Sequence, residues 1–196
     1  MYCVPITFEC NWDCQYCIVD THNKRSINDD EVLNSLQNIR EYSNVTITGG
    51  EPGLVNNDQM SKIFDILIAK KSIINVTTNG LFLKRYNRYY HLIDSYIYHC
   101  SENLIDIDIV DDPDHKVQYT VVIDDDNIQN LESFINFVTS KNIYVRLDAA
   151  LNIGSKSFLS KKNIFKILKE YKQYIKPQHI KHLVGDINDI FNSEII

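Results

Sequence analysis

The sequence lacks several features that would assign the protein to a membrane, secreted or repeat class. Its 196 residues contain no apolar run long enough to cross a bilayer. The N-terminal stretch Met1–Phe8 has neither the basic start nor the long apolar segment of a secretory signal. No repeat, low-complexity segment or linker divides the chain. We therefore expect a single domain over residues 1–196, located in the cytoplasm.

The sequence also has fewer basic than acidic residues. The chain has 20 Lys and Arg residues against 26 Asp and Glu residues, so its formal net charge is −6. A general nucleic-acid binder needs a basic excess to neutralise phosphates, so we expect neither such a partner nor a membrane partner. One nucleotide or base held in a pocket remains compatible with this charge. Hydrophobic residues make up 44% of the chain, which is enough for a globular core.

Cysteine is limited to five residues, and three of them lie within eight positions. Cys10, Cys14 and Cys17 have the spacing C-x3-C-x2-C, whereas a secreted disulfide framework would be spread more evenly. Such clustering indicates metal binding or redox chemistry. Three thiolates would leave one iron of a four-iron cluster without a protein ligand, and an open position is where chemistry can occur. Cys3 and Cys100 are isolated, and we expect them to be small buried hydrophobes.

Zinc is the alternative metal for this cluster. His22 lies five residues after Cys17 and could serve as a fourth ligand. Structural zinc sites usually show paired knuckles, and the spacing here is not paired, so iron is favoured. A zinc- or iron–sulfur-binding module without radical catalysis therefore remains the alternative function.

Short β-rich segments alternate with stretches whose apolar residues recur at helical spacing. This alternation predicts parallel strands joined by right-handed helical crossovers. About six such units are too few for a closed eight-stranded barrel, so we expect an α/β fold with an open, partial (β/α)6-type parallel barrel. The predicted strands are 2–8, 45–48, 73–78, 96–99, 119–123 and 143–147, with a further short one at 180–184.

Chemically notable residues follow the first three predicted strands. The cysteine cluster follows strand one, Gly49-Gly50-Glu51-Pro52 follows strand two, and Asn79-Gly80 follows strand three. Parallel folds gather their chemistry at these strand ends. Glycines permit close approach of the backbone, although Gly-Gly-Glu-Pro alone would indicate only a tight turn.

Together these motifs resemble those of the radical SAM superfamily, where SAM is S-adenosylmethionine. The resemblance rests on the C-x3-C-x2-C spacing with an aromatic residue before the last cysteine, on Gly-Gly-Glu-Pro, and on Thr78-Asn79-Gly80. With the order of strands and helices, it covers most of the chain and implies the radical SAM core fold. It also implies a 4Fe-4S cluster on Cys10, Cys14 and Cys17. The open iron would chelate SAM, and an electron from the cluster would cleave SAM to a 5′-deoxyadenosyl radical.

The resemblance further implies a set of cofactor contacts. Tyr16 would lie near the adenine, and the Gly49–Glu51 run would meet the SAM amino group. Polar residues after the fourth strand would contact the ribose or the carboxylate. The implied cofactor-binding residues are Tyr16, Gly49, Gly50, Glu51, Pro52, Asn79, Ser101 and Glu102.

The resemblance does not name the substrate, which we expect to be a small molecule, a nucleotide-like compound or a glycyl-radical enzyme. Small members of the superfamily include glycyl-radical activating enzymes and deazaguanine-forming synthases. In the synthases an Asp-Thr pair directly after the last cysteine matters for magnesium, whereas here Asp20-Thr21 comes two residues later. Magnesium is therefore not implied.

Two further expectations concern the electron donor and the residues that face the substrate. The resemblance implies an external one-electron donor such as flavodoxin or ferredoxin, and an oxygen-sensitive enzyme. Arg146 and Asp148 flank the end of strand six and are candidates to face the substrate. The alternative for them is an ordinary surface ion pair.

Overall fold

The computed structural model describes residues 1–14, 17, 27–99, 112, 114, 116–141, 145–149 and 160–170. Strands and helices alternate along these residues, as the sequence predicts. The strands are β1 (Tyr2–Thr7), β2 (Asn44–Gly49), β3 (Ile73–Thr78), β4 (Ser95–His99), β5 (Val117–Ile123) and β6 (Val145–Ala149). The α-helices are α1 (Asp29–Gln37), α2 (Asn57–Ala69), α3 (Leu81–Arg85), α4 (Leu131–Ser140) and α5 (Lys161–Glu170). Short 3-10 helices occupy Pro52–Leu54, Asn87–Leu92 and Ile128–Asn130.

The six strands form one sheet in the order β1-β2-β3-β4-β5-β6. The pairs β1–β2, β2–β3, β3–β4 and β5–β6 are parallel. Among the described residues β1 and β6 are the two outer strands of this order, and no pairing joins them, so this sheet is open. The predicted α/β fold with an open, partial parallel barrel is confirmed.

The chain divides into two compact units. The first contains Met1–Asp13, Val19–Tyr98 and Ile109–Val117, and the second contains Cys14–Ile18, His99–Asp108 and Gln118–Ile196. In the first unit, β3 buries alternate residues (Ile74, Val76 and Thr78), as expected for a strand covered by helices on one face. In the second unit, β5 buries Tyr119, Val121 and Ile123 in the same alternation.

Helix starts in the first unit are set by asparagine side chains. Asn28 Oδ1 accepts a hydrogen bond from the Asp30 amide at 2.9 Å, so Asn28 is the N-cap of α1. Asparagine is a preferred residue at this position. Asn56 Oδ1 caps α2 in the same way through the Gln59 amide, also at 2.9 Å. These caps set the first residues of both helices.

Some local expectations need correction or lie outside the described residues. Cys3 is exposed on β1 rather than buried, because alternate residues of that strand point away from the core. Asn127 is the N-cap residue of the 3-10 helix Ile128–Asn130, but its side chain makes no capping hydrogen bond, because it accepts from the Asp124 amide and donates to the Val122 carbonyl at the end of β5. Cys100 and the strand predicted at 180–184 lie outside the described residues. Across the described ranges, no helix has the length and apolar character needed to span a membrane.

Candidate active site at the ends of the first three strands

The turn after β2 lies directly on the backbone that leaves β1. The Gly50 amide donates to the Thr7 carbonyl at 2.7 Å, and the Glu51 amide donates to the Glu9 carbonyl at 2.7 Å. A Cβ atom on Gly49 would lie 2.1 Å from the Thr7 oxygen, and one on Gly50 would lie 2.1 Å from the Glu9 oxygen. The two glycines are therefore required where the motif meets the segment that leads to Cys10.

Replacing Gly49 with alanine is expected to destabilise this junction strongly. Gly49 has φ +124°, a conformation that L residues rarely adopt, and the added Cβ would meet the main chain of β1 rather than a movable side chain. We expect the free energy of unfolding to fall by about 2–4 kcal/mol. Urea denaturation measures this change, with the neighbouring Thr48→Ala as the control. A loss of less than about 1 kcal/mol in Gly49→Ala would contradict the close approach.

The carboxylate of Glu51 joins the end of β2 to the end of β3. Glu51 is 1% exposed. Its Oε1 accepts from the Gly53 amide at 2.7 Å and the Phe82 amide at 3.1 Å, and its Oε2 accepts from the Asn79 amide at 2.7 Å. The Thr78 hydroxyl lies within hydrogen-bond distance of both oxygens, at 2.8 and 3.0 Å. Four donors therefore satisfy one buried carboxylate.

Two opposing effects act on the ionisation of Glu51. Burial raises the pKa of this carboxyl above its ordinary 4.5, and it is the larger effect. Hydrogen bonds from the amides of Asn79, Gly53 and Phe82 and from the Thr78 hydroxyl lower the pKa. All of these partners are donors, so the ionised carboxylate is the form whose lone pairs they satisfy.

The side chain of Asn79 brings the end of β3 to the first cysteine. Asn79 Nδ2 donates to Asn11 Oδ1 at 2.9 Å and lies 3.9 Å from Cys10 Sγ. The Trp12 amide donates to the same sulfur at 3.4 Å. Asn79 Oδ1 accepts from the Leu81 amide at 3.3 Å, which fixes the amide group against the start of α3. Among the described residues, the Trp12 amide and Asn79 Nδ2 therefore point at Cys10 Sγ.

The three clustered cysteines fit the role of thiolate ligands. Cys10, Cys14 and Cys17 form no disulfide and are half-buried. N–H donors of the kind found at Cys10 stabilise a negative sulfur and are a known influence on iron–sulfur centres. The Cys17 amide donates to the Cys14 carbonyl at 3.1 Å, so the main chains of the last two cysteines are in direct contact.

Among the described residues, no three Cys, His, Asp or Glu side chains converge in the way that a single metal ion requires. An iron–sulfur cluster makes a different demand, because its cysteines bind different iron atoms. The donor set of Cys10, Cys14 and Cys17 therefore suits a cluster in its chemistry.

The other predicted site residues divide into two groups. Pro52 is buried and begins the 3-10 helix Pro52–Leu54, so it shapes the turn that carries Glu51. Tyr16, Ser101 and Glu102 lie outside the described residues.

Sequence reasoning included Thr78 in the Thr78-Asn79-Gly80 motif but assigned it no contact of its own. It donates to Glu51 and also accepts from the Gly80 amide at 3.0 Å and from the Phe82 amide at 3.3 Å. A threonine at the end of a β-rich run is ordinary, so the motif alone does not show that its hydroxyl bonds Glu51. Its importance arises from a partner 27 positions away in sequence.

The first unit also contains a cavity of about 890 Å³ that is separate from this arrangement. It lies between β1 and α1, and neither the Gly49–Glu51 turn nor Asn79 lines it. Its lining residues include Tyr2, Val4, Phe8, Val32 and Ile39. The candidate site is the junction of the three strand ends, where the hydrogen bonds converge, rather than this groove.

Comparison with known proteins bears on the same region. The family model described as the radical SAM superfamily matches residues 4–117, which include most of β1, all of β2 to β4 and all three strand-end motifs. No curated protein matches the chain.

Solved structures share the fold at low sequence identity. Hexahistidine-tagged anSMEcpe with bound AdoMet has a TM-score of 0.64 and 15% identity, and the match covers 88% of this chain and 58% of that protein. Native anSMEcpe with bound AdoMet and the Cp18Cys peptide has a TM-score of 0.62 and 13% identity, with coverage of 88% and 59%. The chain therefore spans less than two thirds of the length of these proteins.

Proposed function

This chain belongs to the radical SAM superfamily, and we propose that it holds a 4Fe-4S cluster on Cys10, Cys14 and Cys17 that cleaves S-adenosylmethionine reductively. Membership of the superfamily implies an enzyme. The proposal adds the ligand set, the cofactor contacts and the cleavage reaction. The family match, the fold shared with AdoMet-bound structures and the geometry around Cys10 support it.

One observation carries the proposal. The loop that bears Cys10 is bonded on one side to the Gly49–Glu51 turn and on the other to Asn79. The ends of three strands that lie far apart in sequence therefore meet near a sulfur that accepts from N–H donors. A cysteine with a purely structural role does not need such surroundings.

When bound, the cluster and SAM would supply an electron transfer that releases methionine and a 5′-deoxyadenosyl radical able to abstract hydrogen from a substrate. The residues of the protein would hold the ligand sulfur in position. Asn79 Nδ2 and the Trp12 amide orient Cys10 Sγ and stabilise its negative charge.

Within the Gly-Gly-Glu motif, we assign the SAM ammonium to main-chain carbonyl groups of Gly49 and Gly50. An ammonium needs acceptors. The amides of Gly50 and Glu51 already donate to β1 carbonyls, and the Glu51 carboxylate already accepts from four protein donors. The Glu51 side chain therefore fixes the shape of the turn.

The radical would act on a small molecule, a nucleotide-like compound or a glycyl-radical enzyme. The electron would come from an external one-electron carrier of the flavodoxin or ferredoxin type. An enzyme of this kind is oxygen-sensitive, because an exposed iron of a reduced cluster reacts with oxygen.

Anaerobic reconstitution tests the proposal. The full chain is supplied with iron and sulfide, mixed with SAM and the reductant dithionite, and assayed for 5′-deoxyadenosine by mass spectrometry. We expect a bound four-iron cluster and slow 5′-deoxyadenosine formation even without substrate. Iron-free protein loaded with zinc would contradict the proposal, as would intact clusters that leave SAM uncleaved.

A further inference from the structure

The second unit carries a polar patch that the proposed cofactor site does not use. In the parallel pair β5–β6, Thr120 lies beside Arg146 and Val122 lies beside Asp148. Paired residues of a parallel ladder point to the same face, and successive residues alternate, so these four side chains share one face of the pair. The patch is defined by Thr120, Arg146 and Asp148.

The opposite face of the same strands is apolar. Tyr119, Val121, Ile123 and Leu147 alternate with the patch residues and are buried. Helix α4 connects the two parallel strands and therefore covers one of their faces. Its own buried side chains are apolar, so it belongs to the apolar face: Leu131, Phe134, Ile135 and Val138. The patch therefore occupies the face that this crossover helix leaves uncovered.

Arg146 is held by Asp148 through Nε, which leaves the edge formed by its two terminal nitrogens available. Arg146 Nε donates to Asp148 Oδ1 at 2.7 Å. The two side chains are 29% and 22% exposed, so the pair is partly sheltered from solvent. Within the described residues, the terminal nitrogens of Arg146 have no acceptor. Their edge of the planar guanidinium presents two parallel N–H groups, the arrangement that matches two oxygens of a carboxylate or phosphate.

A buried hydroxyl next to Arg146 distinguishes this patch from a surface ion pair. Thr120 is 1% exposed, and its Oγ1 has no hydrogen-bond partner among the described residues. Buried hydroxyl groups are normally paired, because leaving one unpaired carries a desolvation cost. A ligand oxygen held by Arg146 would remove that cost.

His99, the last residue of β4, belongs to the same unit, and the charges of Arg146 and Asp148 act on its imidazole. Burial lowers the pKa of its imidazole below the ordinary 6.5, Asp148 raises the pKa, and Arg146 lowers it. Within the described part of the chain, Arg146 and Asp148 are the charged residues that shift this pKa, so the imidazole can report a further anion bound at Arg146.

We propose that Thr120 and Arg146 form a subsite for an oxyanion group, a carboxylate or a phosphate, carried by the substrate. Arg146 binds the oxyanion through its terminal nitrogens, Thr120 donates its hydroxyl, and Asp148 is a positioning residue that fixes the guanidinium plane. Asp148 is the penultimate residue of β6, at the strand end where parallel sheets bind ligands. The inference rests on the proposed function, since it assigns a substrate class to that reaction.

Anion titration of the full chain tests the subsite directly. Inorganic phosphate and, separately, acetate are added at an ionic strength kept constant with sodium chloride, while the imidazole C–H resonances of His99 are followed by NMR. We expect a saturable shift with at least one anion. The dissociation constant of the anion should rise at least about tenfold in Arg146→Gln, because the two parallel N–H groups of the guanidinium are removed. It should rise several-fold in Thr120→Val. Stronger binding of phosphate would assign a phosphate group to the substrate, and stronger binding of acetate a carboxylate.

Arg40→Gln is the matched control, because Arg40 is exposed and lies in the first unit. It should bind the anions like the wild type. Thr120→Val removes the unpaired hydroxyl and keeps the side-chain volume, so it tests the subsite even if Arg146→Gln folds poorly. No saturable shift in the wild type, or equal binding in Arg146→Gln, would overturn the inference. Wild-type protein that forms no 5′-deoxyadenosine would instead overturn the proposed function, whatever the anion titration shows.

Discussion

Replacing Cys10, Cys14 or Cys17 singly with alanine is expected to prevent stable assembly of a four-iron cluster. With two thiolates the centre would lack half of the usual protein ligands, so iron and sulfide content should fall well below that of the wild type. Formation of 5′-deoxyadenosine should fall to background, a loss on the order of 1,000-fold. Iron and sulfide analysis and a SAM-cleavage assay after anaerobic reconstitution measure these effects.

Cys3→Ala provides the matched control. Cys3 is an exposed thiol on β1, outside the triplet, so its removal should leave iron content and SAM cleavage unchanged. If Cys14→Ala bound as much iron as the wild type, the assignment of ligands would be wrong. Equal loss in Cys3→Ala would show that the assay reports general thiol damage rather than loss of a ligand.

Replacing Glu51 with alanine is expected to be the most damaging change to stability in the candidate site. It would leave the buried amides of Gly53, Asn79 and Phe82 and the hydroxyl of Thr78 without their acceptor. Each buried donor left unpaired costs about 1–3 kcal/mol, and such costs are not additive. We expect the free energy of unfolding to fall by about 4 kcal/mol, measured by urea denaturation at pH 7.5.

Glu51→Gln sharpens the test because it keeps the shape of the side chain. One carboxylate oxygen would become an NH2 group that faces protein donors, so we expect a loss of about 2 kcal/mol. The exposed Glu41→Gln should change stability by less than about 0.5 kcal/mol. Stability unchanged in Glu51→Gln, together with weaker SAM binding, would show that the carboxylate serves the ligand rather than the turn.

The fold is predictable from the sequence because its signals are local. Each parallel strand is a short β-rich run, and each crossover helix repeats apolar residues at helical spacing. The prediction of a third strand at 73–78 coincides with β3 at Ile73–Thr78, since Ile and Val are frequent there and Asn79-Gly80 marks the turn. The stretch from Leu81 to Leu92 is harder, because it splits into α3 and a 3-10 helix around Tyr86, where aromatic packing rather than periodicity sets the boundary.

The candidate site is predictable only in its motif residues. Cys10, Gly49 and Asn79 stand out by spacing or residue type, and the structure brings their three segments together. Thr78 and Phe82 bond to Glu51 from 27 and 31 positions away in sequence, respectively. A local sequence pattern cannot predict hydrogen bonds over such separations. The same limit applies to Thr120, since a threonine on a strand is ordinary until its neighbour across the ladder is known.

The tie between Glu51 and the end of β3 has a thermodynamic consequence for ligand binding. Because a carboxylate of the protein itself already orders both turns, a ligand arriving there does not have to freeze them. The conformational entropy of these loops is therefore lost when the protein folds and not when the ligand binds. The binding surface is therefore preorganised, and more of each contact made with a ligand can appear as affinity.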